Sequence, residues 1–201
     1  MLVLASASPR RKELLSLLVK EFEVLPADID ETPLLQENPQ DYVIRMAQQK
    51  AVACADMLAS KSSNIANVII ASDTSVVVDD QILGKPDSLN DAKRMLRLLS
   101  GRVHQVVTSL CVFNPKNQHQ VLSSVNTQVT FRSISDLEME YYWRTGEPQD
   151  KAGAYAIQGH GAVFVESIQG SYSAVVGLPL YECAQILSQF GIHSLEEMSH
   201  E

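Results

Sequence analysis

The segment Leu2-Val-Leu-Ala-Ser-Ala-Ser-Pro-Arg-Arg-Lys12 most constrains the fold, because a short apolar strand runs straight into the start of a helix. Leu2 to Ala5 reads as a buried strand. Ser8 is placed as an N-cap, and Pro9 as the first helical residue, where its missing N–H would be unpaired anyway. Free N–H groups and the macrodipole together favour an anion at such an end. Here Arg10, Arg11 and Lys12 fill the first turn where acids are usual, at a cost of ~0.3 to 1 kcal/mol per exposed charge. An external polyanion would remove that penalty, and phosphate is the obvious candidate. A solvated basic turn on an ordinary first helix is the alternative.

Hydrophobic residues make up 45% of the 201. A chain of this size buries close to ~70% of its unfolded surface, enough for one large domain or two closely packed lobes. Cys54, Cys111 and Cys183 are far apart and form no Cys-x-x-Cys pair, so they read as packing residues in a reducing compartment. The first apolar run is short and precedes its basic residues, the reverse of a secretory signal, and nothing approaches the ~18 apolar residues of a membrane span. A cytoplasmic protein is expected. The net charge of −8 argues against indiscriminate nucleic-acid binding, which is driven by counterion release at Lys and Arg. A small polyanion needs only a local cluster of cations.

Hydrophobic periodicity gives strand, helix, strand, helix, strand, then further strands with interspersed helices. Helices are expected from Pro9 to about Lys20, Pro39 to about Ser60, Ser88 to Leu99, and Pro179 to Phe190. Ser135 and Glu138 form a capping box for another through Tyr142 and Trp143. Strands are expected at Phe22 to Pro26, at Val68 to Val78, from Val103 to Phe131 around a turn near Pro115, and as glycine-punctuated runs from Gly146 to Val176. This order predicts a mixed α/β sheet. The tail from His193 to Glu201 is acidic and expected to fray.

Five features stand apart from that pattern. Ser72-Asp-Thr-Ser75 interrupts a Val/Ile-rich strand, and a carboxylate buried there is expensive unless it is paired, hydrogen-bonded or metal-bound. Asp73 therefore faces either a site or a turn. Lys50 lies on the stripe Val43, Ala47, Lys50, Cys54, Leu58 that should face the core; a stem that snorkels outward would explain it in isolation. Lys85 sits in a short Gly-Lys-Pro loop, and Glu31 in an acidic loop, Asp28 to Pro33. The segment Ile157-Gln-Gly-His-Gly161 matches neither a Walker A loop nor a dinucleotide fingerprint, though the Gln158 amide could read a base edge. No motif for covalent catalysis is present.

Together these pieces resemble the Maf family of nucleoside triphosphate pyrophosphatases over nearly the whole chain. The opening segment, Asp30-Glu-Thr-Pro33, Ala47-Gln-Gln-Lys50, Ser72-Asp-Thr74 and Gly84-Lys-Pro86 follow in the family's order. Asp150 to Tyr155, Ile157 to Gly159 and Gly170 to Tyr172 look like the branch acting on dTTP and UTP; the 7-methyl-GTP branch differs there. Ser72 departs from the small apolar residue often found before the Asp-Thr.

The resemblance implies hydrolysis between the α and β phosphates with Mg²⁺ or Mn²⁺. It implies Asp73 as proton acceptor; Ser8, Arg11, Glu31, Lys50 and Lys85 as the phosphate and metal site, with Asp73 and Glu31 as metal ligands; and Arg10, Thr74 and Gln158 as specificity residues. The implied fold is an elongated mixed twisted α/β sheet with flanking helices, two lobes around a deep cleft, similar to inosine triphosphate pyrophosphatases. It would form a single domain over residues 1–201 without a linker, commonly dimeric. A 7-methyl-GTP pyrophosphatase and a non-catalytic regulator of septum formation or cell division are the competing readings.

Overall fold

A computed structural model describes residues 1–61 and 68–194. The chain forms β1 (Leu2–Leu4), α1 (Pro9–Ser16), β2 (Glu23–Val24), α2 (Pro39–Lys61), β3 (Val68–Val78), β4 (Gln81–Leu83), α3 (Leu89–Leu99), β5 (Val103–Asn114), β6 (His119–Phe131), α4 (Asp136–Arg144), β7 (Val165–Gln169), α5 (Tyr172–Val176) and α6 (Leu180–Gln189). Among the described residues seven strands make one sheet in the order β2-β1-β3-β5-β6-β7, with β4 paired to β3 off this path. Strand β1 runs parallel to both β2 and β3, whereas β4 is antiparallel to β3 and β7 to β6. The sheet is therefore mixed, with helices flanking it, as the alternation of periods predicts. Among the described residues no helix is long and apolar enough to cross a membrane.

The chain divides into two compact units. Unit 1 holds Met1–Asp73, Thr108–Val125 and the segment from Gly177, and unit 2 holds Thr74–Val107 and Asn126–Val176. In unit 1 the parallel pairing of Val3 with Ile69 places both on a core that includes Ala47, Ala51, Cys54 and Leu58 of α2 and Cys111 and Phe113 of β5. Small residues on α2 let the helix lie close against the strands. In unit 2 the core gathers Val76, Leu83, Leu96, Leu99, Phe131, Met139 and Tyr155, with aromatic pairs such as Phe131–Tyr155 at 4.7 Å and 73° in the edge-to-face geometry that ring quadrupoles favour.

The N-caps of α1 and α4 are those read from the sequence, and Ser88, expected as the first residue of α3, is its N-cap. Ser88 accepts from Asp91 N at 3.2 Å. At α4 both halves of the capping box are present, with Ser135 Oγ accepting from Glu138 N and Ser135 N donating to Glu138 Oε2. Gly101, with φ 68°, ends α3 in the left-handed region. The three cysteines are buried and free, and burial raises the Cys54 thiol to about 11 and those of Cys111 and Cys183 to about 12, as packing residues require.

Three expectations need correction. Helix α1 stops at Ser16, short of Lys20, where Leu17 N and Leu18 N bond i−3 carbonyls. The stretch after Gly146 is mostly not strand: 3₁₀ turns occupy Glu147–Asp150, Ala152–Ala154 and His160–Phe164 before β7. Its glycines mark tight turns and close contacts. Strand β2 covers only Glu23–Val24 of the run expected from Phe22 to Pro26. The expected frayed tail, 193–201, lies outside the described residues from 195 onward.

Candidate active site

Strand β3 is continuous across Ser72-Asp-Thr-Ser75, which excludes a turn at Asp73. Asp73 is buried within it, so its charge must be met inside the protein. Lys50 meets it. The Lys50 ammonium lies 2.7 Å from Asp73 Oδ1 and 2.6 Å from Glu31 Oε1, with side chains 12%, 13% and 54% exposed for Lys50, Asp73 and Glu31 respectively. The outward-snorkelling explanation of Lys50 is thereby overturned: the ammonium stays inside the protein, held between two carboxylates.

Helix α2 also positions the acidic loop that carries Glu31. Tyr42 Oη donates to Glu31 O at 2.8 Å, and Arg45 donates to Thr32 O at 3.1 Å and through two nitrogens to the Glu37 carboxylate at 2.6 Å. Asp30 closes the loop locally by accepting from Thr32 N at 2.9 Å, a local side-chain-to-backbone bond of the Asx type. One helix thus carries Lys50 and fixes the backbone from which Glu31 projects. Burial, with the charges of Asp73 and Glu31 adding to it, pushes the Tyr42 phenol up to about 12, so it remains a donor.

The β1–α1 connection supplies the third part of the site. Ser8 Oγ accepts from Arg11 N at 3.4 Å as N-cap, and Ser8 N donates to the buried Ser6 Oγ at 3.2 Å. No acid stands in the first turn of α1. Arg11 turns inward: its Nε donates to Gly177 O at 2.9 Å and its Nη1 reaches Ser6 Oγ at 3.4 Å. Burial lowers its pKa, opposed by the Asp73 and Glu31 charges and assisted by Arg10. Ser72 Oγ lies 2.7 Å from Ser109 O and 2.9 Å from Gly177 O, so the Gly177 carbonyl is a shared acceptor for α1 and for the residue preceding Asp73. At φ 132° Gly177 holds a conformation that side chains disfavour.

Unit 1 therefore brings Ser8, Arg11, Glu31, Lys50 and Asp73 together, with half-buried Arg10 on the same turn. Lys85, Thr74 and Gln158 belong to unit 2. Thr74 is half-buried in β3, Lys85 is exposed between β4 and α3, and Gln158 is exposed in the loop before the last 3₁₀ turn. Tyr42, Ser72 and Gly177 were not singled out as functional by sequence reasoning. The signal for Ser72 was a hydroxyl where an apolar residue would suit the strand; Gly177 carried none, because its partners are distant in the chain. Among the described residues no group of three or more His, Cys, Asp or Glu is arranged to hold a metal ion.

Comparison with known proteins places this geometry in context. The profile described as "Maf-like protein" matches residues 1–190. A dTTP/UTP pyrophosphatase of Pseudoalteromonas atlantica (strain T6c / ATCC BAA-1087) is 50% identical over 96% of this chain and 98% of its own length. Proteins of the same name from Vibrio cholerae (serotype O1, strain ATCC 39315 / El Tor Inaba N16961) and Colwellia psychrerythraea (strain 34H / ATCC BAA-681) are each 49% identical over 94% of this chain, covering 97% and 88% of their own. The Staphylococcus aureus Ham1 protein is a partial structural match, with a TM-score of 0.46, 16% identity, and 65% and 71% of the two chains covered. With the family profile spanning nearly the whole chain and half of its residues shared with full-length relatives, the protein belongs to the Maf-like family.

Proposed function

We propose that the chain is a nucleoside triphosphate pyrophosphatase that cuts dTTP and UTP between the α and β phosphates, releasing the monophosphate and pyrophosphate. The observation that carries this reading is the Lys50 ammonium held between Asp73 and Glu31 beside the cation-bearing start of α1. The names of the relatives supply the substrate.

A nucleoside triphosphate bears about four negative charges, so neutralising and aligning them supplies most of the catalysis in phosphoryl-type transfer. Lys50 and Arg11 bring fixed cations, and the free N–H groups at the start of α1 add partial positive charge. Asp73 is the proton acceptor: its carboxylate, oriented by Lys50 on a rigid strand, takes the proton of the water that attacks the α phosphorus. Ser8 and Lys85 are assigned to the phosphates, and Arg10, Thr74 and Gln158 to the base and sugar, on the family resemblance.

A divalent cation fits the donors. Asp73 and Glu31 already converge on one positive charge, the Lys50 ammonium, and two carboxylates completed by phosphate oxygens and water are the usual Mg²⁺ set. Held by these two residues, Mg²⁺ or Mn²⁺ would neutralise phosphate charge and lower the pKa of a bound water.

The test is pyrophosphate release from dTTP, UTP, dCTP, GTP and 7-methyl-GTP with and without Mg²⁺. Release from dTTP and UTP that requires the cation and falls by about 10² to 10⁴ in a folded Asp73→Asn variant is expected. A preference for 7-methyl-GTP, release of orthophosphate in place of pyrophosphate, or near-normal turnover by Asp73→Asn would overturn the proposal.

A further inference from the structure

The glycine-rich segment Ile157-Gln-Gly-His-Gly161 cradles no phosphate motif, yet unit 2 invests a hydrogen-bond network in its shape. Glu147 Oε1 accepts from Tyr142 Oη at 2.7 Å and from Gly161 N at 3.0 Å, and Glu147 Oε2 accepts from His160 N at 2.8 Å. On the other side of Gln158, Tyr142 Oη accepts from Ala156 N at 3.0 Å. The carboxylate and the phenol thus bracket Gln158, fixing the backbone before and after it. Burial works against the charge on Glu147, but the bonds from Gly161, Tyr142 and His160 outweigh it and keep the carboxyl below its ordinary value.

The same network explains the glycines. A Cβ at residue 159 would run into the Glu147 carboxylate, although the φ of −119° there is open to any residue. At residue 161 a Cβ would stand 2.6 Å from Tyr142 Oη and 2.7 Å from Ala156 O. Both glycines clear space for the bracket, so the loop's sequence is fitted to Glu147 and Tyr142 and not to an anion.

A side-chain amide offers one donor and one acceptor, the complement of uracil's N3–H and O4; turned over, it complements cytosine's N3 and amino group as well. An amide alone therefore selects poorly, and where the backbone puts it decides the outcome. We propose that Glu147, assisted by Tyr142, is the positioning residue that sets the Gln158 loop for pyrimidine selection, an inference that rests on the dTTP/UTP reading above.

The experiment compares Glu147→Gln and Tyr142→Phe with the wild type in kcat and KM for dTTP and dCTP, together with amide exchange at His160 and Gly161. In Glu147→Gln an amide NH₂ faces the His160 N–H, two donors opposed, so exchange at His160 should accelerate. The KM for dTTP should rise about tenfold, kcat should fall much less, and the dTTP-to-dCTP ratio of kcat/KM should drop about tenfold. Tyr142→Phe keeps the ring in the core and should move the ratio in the same direction; it carries the test if Glu147→Gln does not fold. Equal losses for both nucleotides, or an unchanged ratio despite faster exchange, would overturn the inference. A wild type that does not prefer dTTP to dCTP would instead refute the functional reading, while exchange at His160 and Gly161 would still test the bracket itself.

Discussion

Lys50 is the residue on which the charges of unit 1 balance, and its position on the buried stripe of α2 has an energetic consequence. Replacing it with Met preserves the stem's packing but leaves Asp73 without the ammonium 2.7 Å away. Removing one partner of a buried ion pair exposes the other to an uncompensated desolvation cost, here up to about 3 kcal/mol, the low end of the usual range because Glu31 stands half in solvent. The double variant Lys50→Met/Asp73→Asn should recover most of that loss, since a neutral amide needs no counter-charge. Urea denaturation of the four species measures the coupling; a double variant less stable than Lys50→Met would show that packing and not charge governs the position. The sequence marked Lys50 as misplaced on its helix, but its partner was beyond reach: Asp73 is 23 residues away, and no local spacing distinguishes an inward ammonium from a snorkelling one.

Strand β5 shows at the scale of an element what pattern reading captures and what it misses. Its first residues alternate, with Val103 and Gln105 exposed and His104 and Val106 buried, but from Val106 to Phe113 every residue is buried. The change falls near the Val107/Thr108 boundary of the two units, so a period-2 signal present in one half vanishes in the other. The N-caps of α1 and α4 were legible because capping is written in adjacent residues. The 3₁₀ turns after Gly146 were not, since glycines at strand-like spacing look the same whether they punctuate strands or make room for a neighbouring side chain. The alternation also buries a titratable group. His104 lies edge-on to Phe131 at 4.8 Å and to Tyr155 at 5.4 Å, with Nε2 bonded to Tyr155 Oη at 2.8 Å. Burial pushes its imidazole down to about 4. A base whose pKa is lower in the folded state takes up its proton first in the unfolded chain, so the stability it confers is complete above about pH 6.5 and is lost as pH falls toward about 4. The loss amounts to roughly 3 kcal/mol. Chemical denaturation at pH 7.5 and 4.5 should show this component in the wild type and not in His104→Phe; an equal acid loss in both would assign it to carboxylates elsewhere.

For the whole molecule, the sequence conveyed whatever is local or compositional: the mixed α/β class, the order of elements, and a string of short motifs whose register pointed to the family. It did not convey how contacts close over long separations. Arg11 donates to a carbonyl 166 residues away, and Ser72 bonds Ser109 and Gly177 at separations of 37 and 105; nothing in either neighbourhood encodes its partner. Nor did it show that β3, β5 and β6 each divide between two compact units. These long-range bonds join segments that are far apart in the chain, so a ligand that binds only the assembled site must stabilise the fold as a whole. A dTTP analogue with a methylene bridge between the α and β phosphates cannot be cut at that bond. At 100 times its Kd, with Mg²⁺, linkage gives about 2.7 kcal/mol of added stability, which for a chain of this length corresponds to a rise in Tm of roughly 5 to 10 °C. On the proposed function, in which Arg10, Thr74 and Gln158 select the pyrimidine, the matching GTP analogue at the same concentration should move Tm far less. Equal shifts for the two analogues would mean that the triphosphate alone is recognised, and no shift for either would mean that the charges gathered around Lys50 do not form a nucleotide site.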